Sequence, residues 1–434
     1  MKRALLAAVM ASLVLAPLTV APAAVAQTLK PRDRAENLKA QNAYVQVWDK
    51  LVATVKTSFY DPALNGARFD DAAKKYRAQL RLVKSDADFL QLTTALLNEL
   101  RSSHVQMRLP TDSPDRTYGF GAKFRKIGPE WVVTEVDPLS DARRQGLRVG
   151  DVLVSNIDDV RGQPGSLGSI RIKACNDTER MISIRREAAG WPAMNPAFRW
   201  QTLSSGPGKR VGYLRVDRFD DGAAEEADRA MAALRDTDGL VIDLRWNSGG
   251  NASALRLASY FTDGALPGMV LLSRDYLNRL GRAPTPADVL SAPRLDRPYT
   301  TEAILAGLVA NGGGEALWTE DLGALRYGKP VVVLIGENTG SAAEGFAWVM
   351  KLKTEATLLG RRTSGELLSG EDFDLGHGWR VTLPTAGIWG PDGINYGDKP
   401  VQPDNTVPNS RADLCSGRDP EIEAAMDRLL VRRP

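Results

Sequence analysis

At 434 residues the chain is long enough for two or three domains with ample core. The near-balance of 56 Lys and Arg against 53 Asp and Glu, with no long basic run, argues against nucleic acid as the main partner. Two histidines and two widely separated cysteines, Cys175 and Cys415, argue against a Cys/His zinc site and a disulfide scaffold. The cysteines fit one bridge or two buried thiols equally well.

Residues 1–26 carry Lys2–Arg3, an apolar run broken by Pro17, and Ala-Val-Ala before Gln27. That is the pattern of a secretory signal peptide, and the run before Pro17 is too short to cross a bilayer. No later stretch reads as a membrane span, so the mature chain is expected to be periplasmic or secreted. Residues 27–110 read as a helical domain, with apolar spacing through Tyr44, Val45, Trp48, Leu51 and Val52 and through Phe89, Leu92, Leu96, Leu97 and Leu100. It ends in Ser102-Ser103-His104. Histidine is the side chain most readily used as a base near neutral pH, although a lone histidine after a helix also serves structure alone.

Residues 116–203 change texture to short β-type runs broken by Gly, Asp and Pro. Gly119-Phe120-Gly121-Ala122 and the later run from Asp137 to Val154, DPLSDARRQGLRVGDVLV, resemble a PDZ domain. Such a domain binds an extended peptide as an added strand. The resemblance makes the Gly119–Ala122 backbone a nest for a peptide's terminal carboxylate. The alternative is a module that only packs on the core.

Residues 208–408 read as a mixed α/β core. Gly239 to Leu244 is a buried-type strand leading into Asn247-Ser248-Gly249-Gly250, whose glycine amides stand at a strand's C-terminal end, where α/β sites assemble. No phosphate-loop lysine follows. Val331 to Ile335 is a second such strand, and Ser341 opens the helix-like Ala-Ala-Glu-Gly-Phe-Ala-Trp. A serine there is either a nucleophile beside backbone donors or an N-cap, since Ser341 and Glu344 fit the capping box S-x-x-E. Residues 409–434 are expected to be a helical tail.

Together, DLRWNSGG and the downstream VVVLIGENTGSAAEGFA resemble the tail-specific, or carboxyl-terminal processing, serine peptidases. The resemblance implies a crotonase-like α/β core with an inserted PDZ-like domain and Ser341 as nucleophile. It also implies an oxyanion hole from Ala342 and a glycine of Gly249–Gly250. In the Ser–Lys branch a lysine stands where this chain has Glu366, and a carboxylate cannot replace a neutral amine. Lys351 and Lys353 lie too far along the serine's own helix.

The tricorn-core-like branch instead uses a Ser-His pair before the PDZ-like insert, which Ser103-His104 matches. His104 is then the general base and Ser103 assists it; Asp398 is adjacent to the place where that branch carries an acid, and Glu366, Glu371 and Asp372 are the other carboxylates of the final third. His377 is the less suitable histidine. No metal or organic cofactor is implied. The expected partner is an extended polypeptide presented through its C-terminus, and the competing reading is a non-hydrolytic peptide- or ligand-binding protein on the same fold.

Overall fold

The computed structural model describes residues 34–111, 118–137, 139–187, 196–204, 208–295, 300–408 and 410–430. The expected signal segment lies outside them. Helices Arg34–Ser58, Phe69–Arg77 and Asp86–Leu97 come first, followed by strand β1 (Gln106–Arg108). Ser85 caps the third helix by accepting the Asp88 N–H at 3.1 Å, meeting one of the donors a helix start leaves unpaired. The apolar stripe predicted from spacing is inward, with Trp48, Leu51, Phe89 and Leu96 at most 1 % exposed. These side chains share one cluster with Val270, Leu272, Val381 and Leu383 of a core sheet. The helical segment therefore buries its face on the core instead of enclosing a core of its own.

Strands β2 (Ala122–Ile127), β3 (Glu130–Val136), β4 (Val152–Leu153), β5 (Leu167–Lys173) and β6 (Glu179–Arg185) pair in sequence order as an antiparallel sheet. Alternate residues turn inward along β5, and Ile170 and Ile172 join Phe120, Val133, Leu147 and Ile184 in a separate small core. Cys175, just after β5, is bridged to Cys415 in the C-terminal helix Arg411–Ser416. The two-thiol alternative is thus set aside. Arg411 joins the same junction, donating to the carbonyls of Gly150 and Ala174 at 3.0 and 2.5 Å.

The next strands are β7 (Phe198–Ser204), β8 (Arg210–Val216), β9 (Gly239–Asp243), β10 (Pro267–Ser273), β11 (Arg294–Leu295) and β12 (Gly314–Trp318). They are followed by β13 (Val331–Ile335), β14 (Thr357–Gly360), β15 (Ser369–Gly376), β16 (Trp379–Trp389) and β17 (Asn405–Thr406). One sheet has the order β17-β14-β13-β9-β8-β7, parallel except for β7; a second runs β1-β16-β10-β12-β11 with β15 paired to β16. All five residues of β9 and of β13 are buried, as expected of parallel strands covered on both faces. Helices Ala223–Leu234, Ala254–Ser259 and Ala342–Lys353 pack on this sheet through Met231, Leu257 and Phe346. Because β9 and β13 are parallel neighbours in register Asp243 to Leu334, the chain leaves both at the same edge of the sheet.

Candidate active site

That edge brings the two glycine- and serine-bearing loops together. After β13, Thr339 Oγ1 donates to the Leu244 carbonyl at 2.8 Å, and the Gly340 N–H donates to the Asn247 carbonyl at 3.0 Å. Ser341 follows with φ 49° and ψ −125°, a conformation a β-substituted residue holds only when its surroundings fix it. Its N–H donates to the Glu366 carbonyl (3.0 Å) and to Glu344 Oε2 (3.2 Å). The Glu344 and Gly345 amides donate to the Ser341 carbonyl at 2.8 and 3.1 Å. Ser341 and Glu344 form the capping-box pair that the spacing predicts, with the Glu344 carboxylate accepting the serine N–H.

Glu344 does far more than cap. Its carboxylate also accepts from Thr363 Oγ1, from Ser364 Oγ at 3.3 Å, and from the Gly365 and Glu366 amides at 2.8 and 2.6 Å. Burial pushes this carboxyl up, and the hydrogen bonds pull it partly back. The loop 363–366 is thereby fastened against the start of the Ser341 helix.

The loop after β9 is held from below. Arg245 is 9 % exposed and donates to Asp243 at 2.7 Å, to Asp419 at 2.8 Å and to Glu421 at 2.6 Å. Burial disfavours the Asp243 carboxylate, but Arg245 outweighs it and brings its pKa to about 2. Gly249, at φ 115°, packs directly on the serine, since a Cβ there would stand 2.5 Å from Ser341 Cβ. Gly250, at φ 139°, leaves no more room, because a Cβ would meet the Phe219 carbonyl oxygen at 1.8 Å. Only glycine fits either place. The Gly249 N–H is taken by Oδ1 of the fully buried Asn247 at 2.8 Å. Gly249, one of the expected oxyanion donors, thus has its amide engaged within the loop and leaves room for the serine by lacking a side chain.

His104 has φ 56° and packs against Gly370, where a Cβ would lie 3.4 Å from His104 Cβ. Its Nδ1 is 3.3 Å from Ser103 Oγ. Asp398 accepts the Ser103 N–H at 2.8 Å and the Ser102 hydroxyl at 3.2 Å, so it positions the histidine's loop instead of bonding the ring. Burial lowers the His104 pKa, against the pull of Glu366 and then Asp398. His104 and Ser341 line one cavity of ≈ 240 Å³, walled by side chains such as Leu255, Met269, Leu271 and Ile304. Among the described residues no hydrogen bond joins the serine hydroxyl to the ring. Such contacts are often long before substrate binds.

The remaining predicted positions lie elsewhere. Gly119–Ala122 form no part of that cavity's lining. The Gly121 carbonyl accepts the Asp137 N–H at 2.8 Å, and Phe120 is fully buried in the small β core. His377 is exposed in the β15–β16 turn, 2.7 Å from Gln46 Oε1. Sequence reasoning missed Asn247, Ser102 and the wider role of Glu344; the S-x-x-E spacing was the only local signal among them.

A serine on a strained strand-to-helix turn, with glycines against it and a histidine across an apolar cavity, is an arrangement for acyl transfer on an α/β core. Residues 210–407 match the family model described as Peptidase family S41. The chain is 26 % identical over 323 residues to the Carboxyl-terminal-processing protease of Synechocystis sp., covering 70 % of this chain and 66 % of that protein. It is 24 % identical over 429 residues to Tricorn protease homolog 1 of Streptomyces coelicolor, covering 88 % of this chain but 34 % of that one. The chain thus spans about two thirds of the first relative and about a third of the second. The solved structure of mature CPAF complexed with lactacystin shares the fold at TM-score 0.64 and 16 % identity, over 90 % of this chain and 98 % of that one.

Proposed function

We propose that this protein is a serine-type endopeptidase that hydrolyses extended polypeptides through an acyl-enzyme on Ser341. The observation that carries the reading is that Ser341, on its strained turn against Gly249, lines the same cavity as His104. With Nδ1 toward Ser103 Oγ, His104 offers Nε2 to the substrate side. It takes the Ser341 proton as Oγ attacks the peptide carbonyl carbon, then gives it to the leaving amine. A water molecule, deprotonated by the same ring, attacks the ester and frees Ser341. The oxyanion is assigned to the amides of Ala342 and Gly250, given that the Gly249 amide is already engaged. Ser103 orients the ring, and Asp398 holds Ser103.

The substrate enters, on this reading, as an extended chain whose C-terminus binds the PDZ-like sheet at Gly119–Ala122. The relatives named for carboxyl-terminal processing support that choice. A periplasmic or secreted location agrees with the Cys175–Cys415 bridge, since such bonds persist in oxidising compartments. No helix among the described residues is long and apolar enough to cross a membrane.

The test is cleavage of an unfolded protein by the full chain beside Ser341→Ala and His104→Ala. Each variant is expected to lose at least about 10³-fold in kcat. In the parent, activity should rise with pH as His104 loses its proton, with a midpoint below that of an ordinary histidine because burial lowers it. A parent that cleaves nothing, or variants that match it, would leave a binding protein on this fold.

A further inference from the structure

One carboxylate at the site has no part in the reaction as written. Glu366 is fastened to the nucleophile by its main chain, accepting the Ser341 N–H at 3.0 Å and donating to Glu344 Oε2 at 2.6 Å. Its side chain is exposed, and Oε2 would stand 3.8 Å from a Cβ on Gly340, the residue before the nucleophile. The chain then runs directly through Leu367, Leu368 and Ser369 to Gly370, all of which line the cavity with His104, and Gly370 touches that histidine. Glu366 therefore adjoins the wall of the cavity shared by Ser341 and His104, with its carboxylate beside Gly340, without itself lining that cavity.

We propose that Glu366 is a second positioning carboxylate for His104, in addition to the one supplied by Asp398 through Ser103, and that it stabilises the imidazolium formed when Ser341 gives up its proton. The inference rests on the Ser341–His104 reading above. Asp398 is already occupied by the Ser103 amide and Ser102 hydroxyl, so much of its charge is spent on the loop. A carboxylate beside the nucleophile favours the protonated form of the ring across the cavity, as Asp398 does. The neighbouring acids of β15 are engaged elsewhere: Glu371 accepts from Thr385, and Asp372 from Thr382 beside Arg108. The charges acting on His104 are those of Glu366 and Asp398. Together they oppose the desolvation that would make a buried imidazolium costly.

The chain has two histidines, so each imidazole can be followed by NMR titration of the full chain, with His377→Gln assigning the signals. Glu366→Gln should move the His104 midpoint down by about half a pH unit or more, further than Asp398→Asn does. With an unfolded protein as substrate, kcat should fall about tenfold at unchanged KM, and the acid limb of the pH–rate curve should follow the NMR midpoint. Glu366→Asp should recover part of both effects. An unmoved His104 midpoint in Glu366→Gln overturns the proposal whether or not the protein cleaves anything. If the midpoint moves and the parent is inactive, the coupling stands and the peptidase reading falls.

Discussion

Glu344 and Glu315 are both fully buried in the core, and the fold treats them in opposite ways. Glu344 accepts from three amides, those of Ser341, Gly365 and Glu366, and from the hydroxyls of Thr363 and Ser364. Glu315 stands on β12 opposite Leu271, beneath Gly307 of the helix Thr301–Ala310, and among the described residues neither of its oxygens has a hydrogen-bond partner. A Cβ on Gly307 would meet Oε1 at 1.8 Å, so that glycine makes room for the carboxyl. Burial acts alone on Glu315 and pushes its pKa up to about 7, whereas at Glu344 hydrogen bonds offset part of the same penalty. Burial does not by itself say what a carboxylate is for. The donors around Glu344 make it a bolt between the nucleophile helix and the next loop, and the apolar surroundings of Glu315 make it an acid that carries its proton close to neutrality.

The comparison breaks most severely at Glu344. Replacement by Gln keeps the shape but turns an NH₂ group toward N–H and O–H donors, stranding several of them. Each buried group left unsatisfied costs about 1–3 kcal/mol, so Glu344→Gln should lower unfolding stability by about 3 kcal/mol or more, read from denaturant midpoints. Cleavage should fall with it even where the variant is folded, because the Ser341 amide and the 363–366 loop lose their common anchor. A Glu344→Gln variant as stable as the parent would mean that these bonds add nothing over solvent.

The sequence made part of this arrangement legible. Two apolar runs ending in Asn-Ser-Gly-Gly and in Thr-Gly-Ser predict β9 and β13 and the turn at Ser341, because buried parallel strands and glycine turns are encoded locally. Glu344 reads only as a capping partner, since its other donors come from residues 363–366, which are adjacent in space and not in sequence. Asp398 reaches Ser103 across 295 residues, so its target lies beyond any local pattern. Phe120 sits in a sequence stretch chosen for its backbone, and its side chain proves to be core. The helical segment looks self-contained by periodicity, but periodicity gives the buried face without naming the surface that covers it. Glu315 follows three glycines, with nothing in its own stretch to mark a buried carboxylate. Its burial follows from the pairing of β12 with β10, a long-range event.

A smaller effect sharpens the same contrast. The unfolded chain releases the Glu315 proton in the ordinary carboxylate range, and the folded chain holds it until about pH 7. Between those two values the folded state binds more protons than the unfolded one, so this residue's contribution to stability is complete in acid and is lost as pH rises through that window. Glu315→Gln removes the ionisation while keeping the shape. Relative to the parent, the variant should gain about 3 kcal/mol between pH 4.5 and pH 8, read as a shallower decline in thermal midpoint across that range. Taking the difference between the two proteins cancels the other titrating groups, Glu344 included, which both chains share. If the two curves run parallel, Glu315 has found a partner in solution and the two glutamates differ less than their hydrogen bonds indicate. If they converge on the acid side and part above it, the unpaired carboxyl beside the Ser341 cavity is a protonated acid in the folded protein, and the core tolerates it only while that proton stays.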